Sequence, residues 1–205
     1  MILQALKAAT SRSHASVETA LPSLIELGDR APYFACLEAL HGFYTVWEPA
    51  AWRVLASAES SLSAAERQKL PALRRDLARM QAELGVERCD GVAPAPVVAS
   101  GCTALGILYV FEGATLGGRV VERHVSHRLR VTPDDGIEFF HGYGERTAEM
   151  WRLFDQELTR WVARYGGSDE IVSGAVMCFT ALEQWLVSVD PKARARSIDR
   201  VIVGA

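Results

Sequence analysis

Apolar positions along this chain recur mainly at helical spacing. In residues 2–20, Leu3, Leu6, Thr10, His14, Val17 and Leu21 share one broad face, with Lys7, Ser11 and Arg12 at its edge. His14 is therefore placed on the apolar side of this first helix. Pro22 and Gly28-Asp29 break the pattern. A second helix is predicted from Ala31 to Ala58, with Phe34, Leu37, Leu40, His41, Tyr44 and Trp47 inward and Pro49 kinking or interrupting it. Ser63-Ala-Ala-Glu66 reads as a capping box opening a third helix that reaches Leu84. Its Arg74, Arg75, Asp76 and Arg79 read as a solvated face. Residues 85–96 form a loop, and a long helix follows from Pro96 to Leu129. After a turn at 132–136, a fifth helix spans Ile137 to Tyr165 and contains Gly142-Tyr143-Gly144. Gly166-Gly167 ends it, Ser168 caps a sixth helix to Val189, and Pro191 stops that one. The last fifteen residues are basic and weakly patterned, which predicts a loose tail. No strand pattern or fixed repeat is present. The expected fold is all-α, one domain of six to eight helices over residues 1–190, with 191–205 as the tail.

The long fourth helix is the unusual one. Leu105, Leu108, Phe111, Val120 and Val121 keep a helical period, yet glycine stands at 106, 113, 117 and 118. Each glycine costs about 1 kcal/mol against alanine in a helix interior. Two readings account for them. Gly113 and Gly117 could let another helix pack closely, or they could mark a bend where bare backbone faces a flat ligand.

Composition narrows the function. With 49% hydrophobic and 23% charged residues in 205, the chain can bury a sizeable core. A net charge of −3 is too mild to argue for nucleic acid or an anionic membrane as partner. No apolar run approaches the roughly 18 residues of a membrane span. The four cysteines, Cys36, Cys89, Cys102 and Cys178, are scattered without a CxxC pair, which suits a reducing, cytoplasmic setting. P-loop, dinucleotide and nucleophile-elbow signatures are all missing from the sequence.

Two constellations could carry chemistry. In the first, His14 supplies a neutral imidazole able to ligate iron, and Glu18, one turn on, can hold its other ring nitrogen. Against it, the glycine-bearing helix offers a surface stripped of side chains, so that a haem could be clamped between them. In the second, Glu38-x-x-His41 and Glu138-x-x-His141 match the motif of carboxylate-bridged di-iron bundles, with Glu112 and Glu183 as further ligands. Its weak point is that Glu138 and His141 fall in a first helical turn. His124 and His127, at i,i+3, read as solvated.

Leu6-Lys7-Ala-Ala-Thr10-Ser-Arg-Ser-His14-Ala-Ser-Val-Glu18 resembles the proximal-helix signature of the haem oxygenases. Tyr109-Val-Phe-Glu-Gly113-Ala-Thr-Leu-Gly117-Gly118 resembles their distal-helix signature, in the branch associated with bacteriophytochromes. The helix order and the segment from Gly142 to Trp151 also fit. The resemblance implies a haem lying between a proximal and a kinked distal helix. It makes His14 the iron ligand and Glu18 its partner. Gly113 and Gly117 become the distal backbone contacts and Gly118 the residue that permits the bend. Lys7, with Tyr143 or Arg146, would meet the haem propionates, and Phe179 would line the haem edge. The implied reaction uses haem as cofactor and substrate, dioxygen and external electrons, and releases biliverdin, carbon monoxide and ferrous iron. A ferredoxin- or flavodoxin-type reductase and a biliverdin-accepting bacteriophytochrome are the implied partners. The chain departs from animal members at Ala114, where they carry a distal aspartate, and at Ser11, where they carry a lysine. Haem binding without turnover and a non-haem di-iron oxygenase are the competing functions.

Overall fold

A computed structural model describes residues 1–21 and 29–203, so the predicted breakers Pro22 and Gly28 lie outside the described residues. Helix α1, Ile2–Ala20, matches the predicted span and buries Ile2, Leu6, Thr10 and Val17. Helix α2, Arg30–Ala56, is largely apolar, and seventeen of its residues are buried. Pro49 does not interrupt it.

The predicted third helix is instead two. A single turn, α3 (Ala64–Arg67), is separated from α4 (Leu70–Leu84), and Gln68 between them is extended. The Ser63 side chain makes no capping bond. The carboxylate of Glu48, on α2, accepts the backbone N–H of Lys69 at 2.6 Å and of Leu70 at 2.8 Å. Those amides are the unpaired start of α4, and a buried carboxylate satisfies them better than continued helix would. Asp76 on α4 also departs from expectation. It is buried and accepts the N–H groups of Glu138 and Phe139 at 3.0 and 2.7 Å.

Ser100 caps α5, Gly101–Leu129, by accepting the Thr103 N–H, so this helix starts five residues later than predicted. It runs unbroken through Gly113, Gly117 and Gly118. The predicted fifth helix is divided into α6 (Glu138–His141) and α7 (Thr147–Tyr165), with a 3-10 turn at Gly144–Arg146. Gly142 and Gly144 both have positive φ, near 58° and 57°, and that left-handed backbone cannot continue a helix. Helix α8 spans Ser168–Val189. The loose tail is not observed. Residues Pro191–Val203 form α9, which packs on α2 through buried Ala195 and Ile198. Arg194 donates to Glu38 at 2.8 Å.

The core is built around α5 and α8, with α1 on α8 and α2 on α5, α4 and α9. Two stretches, Gly101–Leu129 and Ser168–Val203, are long and apolar enough by composition to cross a membrane, against expectation. Roughly half of each apolar window lies buried within the fold (56% and 44%).

Candidate haem site on α1 and α5

Helices α5 and α8 meet through glycine. A β-carbon on Gly106 would strike the Ile171 carbonyl and lie 2.7 Å from the Ala175 amide nitrogen. One on Gly174 would lie 2.7 Å from the Thr103 carbonyl oxygen. The close-packing role expected of Gly113 and Gly117 is thus filled by Gly106 and Gly174. At 3.6 residues per turn, Gly113 and Gly117 continue the stripe that begins at Gly106. A β-carbon at either would meet nothing within 4 Å. The same edge of α5 is covered at one end and bare two to three turns on. Of the two readings of these glycines, close helix packing is not observed at Gly113 or Gly117.

His14 is on α1, which packs on α8, the helix that also carries α5. Its imidazole lies against the ring of Phe179 on α8, centroids 5.9 Å apart. The ring is at the margin of the buried face, not within it: its side chain is 58% exposed. This corrects the expected apolar placement. Thr10 and Val17 take the centre of the face, and Thr10 satisfies itself by donating to the Leu6 carbonyl at 2.8 Å. Glu18 approaches the His14 Nδ1 at 3.6 Å, an ion-pair separation longer than a hydrogen bond, in an exposed setting. Lys7 is exposed and lies two turns before His14 on the same side of α1.

An exposed imidazole backed by an aromatic ring, a cation two turns away and a strip of bare helix backbone fit a flat, anionic, iron-bearing macrocycle. The fit rests on the cradle that β-carbons at 113 and 117 would fill.

Other expected contacts are placed differently. Gly118 does not bend α5; it lets α6 approach, since a β-carbon there would lie 3.0 Å from the Phe140 carbonyl oxygen. The Tyr143 hydroxyl is committed to Glu112, donating at 2.7 Å. Burial, then the Glu112 charge, pushes its ionisation up. Arg146 is exposed beside Glu149 at 3.3 Å.

The di-iron constellation does not assemble. Glu38 binds Arg194 and the Cys89 amide, whereas Glu138 binds Arg75. His41 faces Arg88 and Thr45, and His141 faces Glu122. Glu112 holds cations, accepting from Arg67 at 2.8 Å and Lys69 at 3.1 Å. Among the described residues no group of three His, Cys, Asp or Glu could hold a metal ion. The buried Arg67–Glu112–Lys69 cluster was missed from sequence. A signal was available: Glu112 interrupts the apolar run 107–111, and a carboxylate so placed requires a buried cationic partner.

The Heme oxygenase family model matches residues 1–188. The fold resembles that of the NO- and CO-bound haem oxygenase from Neisseria meningitidis, with a TM-score of 0.73, 20% identity and 92% of each chain covered. It also resembles haem oxygenase from Leptospira interrogans, with a TM-score of 0.66 and 19% identity over 91% of this chain and 98% of that one. No curated protein matches the chain by sequence. At these identities the structural likeness carries the fold, and the sequence model carries the family over nine-tenths of the length. This chain belongs to the haem oxygenase family.

Proposed function

We propose that this chain cleaves haem oxidatively to biliverdin, with carbon monoxide and ferrous iron as the other products. Bound haem supplies the redox-active iron and is itself the substrate whose ring is opened. The observation that carries the reading is the bare edge of α5 at Gly113 and Gly117, where added β-carbons would meet nothing within 4 Å. A protein that only carried haem would gain nothing from leaving that edge uncovered.

His14 is the residue to hold the iron. Glu18 lies on its Nδ1 side, which leaves Nε2 for the metal. Glu18 keeps the imidazole oriented and raises its basicity. Phe179 restricts the ring from the α8 side. Lys7 meets a propionate as an exposed point charge, with Arg146 as a second exposed candidate. Tyr143 would have to give up Glu112 to take part. Gly113 and Gly117 hold the distal face open for dioxygen by contributing no side chain. Ala114 has no proton to offer, so backbone groups and solvent must hold the proton supply on that side. The chain carries no flavin or iron–sulfur motif, and electrons come from a ferredoxin- or flavodoxin-type reductase. A bacteriophytochrome is the acceptor we infer for biliverdin, in the cytoplasm.

The test compares wild type, His14→Ala and Gly113→Leu with one shared electron donor. Wild type should bind hemin one to one and develop the near-red band of biliverdin with release of carbon monoxide. His14→Ala should lose the histidine–iron Soret signature. Gly113→Leu should keep that signature and lose turnover, because added atoms have no room at a close contact. A wild-type protein that holds hemin tightly and yields no biliverdin with several donors would instead be a haem carrier.

A further inference from the structure

The back of α5, opposite the bare edge, is gripped at three points by one short segment. Residues 112, 115 and 118 recur every three positions and form a single stripe on the helix. Tyr143 donates to Glu112, at 2.7 Å. Gly142 lies against the Thr115 methyl group, so closely that a β-carbon could not fit. The Phe140 carbonyl sits over Gly118, 3.0 Å from where a β-carbon would be. The positive φ of Gly142 and Gly144 breaks what would otherwise be one helix and turns Phe140, Gly142 and Tyr143 onto α5. From the other direction, Arg67 and Lys69 reach the same carboxylate at 2.8 and 3.1 Å, all three groups being nearly fully buried. Lys69 also bonds the Tyr143 hydroxyl and covers its ring, 3.9 Å from the centroid. Burial pushes the Lys69 ammonium down, and Glu112 opposes that.

We propose that Glu112 is a positioning residue: pinned by Arg67, Lys69 and Tyr143, it fixes the rotation of α5 so that Gly113 and Gly117 face the haem. The proposal rests on the haem-oxygenase reading for its consequence, though not for its geometry. Glu112 immediately precedes Gly113, so any rotation of the carboxylate about the helix axis is transmitted undiminished to the glycine. Packing on α8 fixes α5 at Gly106, but beyond it an edge that must stay bare offers no contacts of its own. A buried charge cluster suits this role, because such clusters contribute more to choosing one arrangement than to net stability. Three directional bonds on one carboxylate leave it one orientation.

Two variants test it. Glu112→Gln keeps the side-chain shape but presents an amide to two cations, and Tyr143→Phe removes a single hydrogen bond. In the haem-free protein, hydrogen exchange should quicken at least tenfold for the amides of residues 113–118 in Glu112→Gln, with α8 amides unchanged. Tyr143→Phe should fall between. With haem bound, both should keep the wild-type histidine–iron Soret band while the Fe–CO stretching frequency shifts or broadens. The proportions of biliverdin isomers should also depart from wild type. Wild-type exchange, Fe–CO frequency and isomer proportions in a folded Glu112→Gln would overturn the proposal. If that variant does not fold, the same three results in Tyr143→Phe decide it. Failure of the functional reading is separable: wild type would then hold hemin without yielding biliverdin, whereas the exchange experiment contains no haem.

Discussion

At the scale of single residues, His41 gives the most direct prediction. Its Nδ1 faces the Arg88 guanidinium at 3.2 Å, and its Nε2 faces the Thr45 hydroxyl at 3.4 Å. A guanidinium can only donate, so Nδ1 must accept and the ring is neutral with its hydrogen on Nε2. Burial, then Arg88 and Arg74, lowers its pKa to about 4. The unfolded chain would take up a proton near the ordinary value of about 6.5, and the folded one would not. His41 therefore contributes stability that is complete above pH about 6.5 and is lost as the pH falls toward 4. His41→Gln should flatten that limb of the stability–pH curve, measured by urea unfolding. An unchanged curve would place the acid sensitivity elsewhere. Sequence reading put His41 inward, where it is half-buried, but tied it to Glu38 as a metal motif. The error is instructive, because i,i+3 spacing puts two side chains on one helix face and says nothing of what lies opposite. Arg88 and Arg194, which claim the two residues, come from 47 and 156 positions away. His14, Lys7 and the paired glycines could be singled out in the sequence for the opposite reason, since the patterns that mark them lie within α1 and α5 themselves.

At the scale of elements, helices with one apolar face were predicted closely, as α1 and α8 illustrate. Boundaries failed where a distant side chain intervened. Glu48 started α4 afresh, and buried Asp76, whose carboxyl burial raises to about 6, holds the first amides of α6 close to where that helix was expected to begin. Neither effect has any local trace. Helix α9 was missed because α2, which its buried face covers, and Glu38, which Arg194 meets, lie far away in sequence. Arg194→Ala would leave Glu38 with only the Cys89 amide, a loss of about 1–3 kcal/mol. Arg196→Ala, on the exposed side, should change stability by less than about 0.5 kcal/mol. Proteolysis should release α9 selectively from the Arg194 variant. Equal loss in both variants would mean that general charge, not the Glu38 pair, holds the helix.

At the scale of the whole molecule, one stripe on α5 answers to two demands. Where it crosses α8, Gly106→Ala would drive a methyl into backbone that cannot retreat, at about 1–3 kcal/mol. Two turns on, Gly113→Ala meets open space and removes a poor helix former, so the haem-free protein should gain about 1 kcal/mol. For a domain of this size that is about 2–4 °C in melting temperature. Calorimetry of the two variants without haem should show shifts of opposite sign. Matching losses would mean that Gly113 is packed after all. The consequence reaches beyond these two variants. A library sorted only for folding would drift to alanine at 113 and 117 while purging every change at 106. Diversity at the three positions is therefore a record of selection. Homologues that keep Gly106 but have filled 113 or 117 retain the scaffold under pressure to fold, and they are where descendants that have abandoned ring opening should be sought.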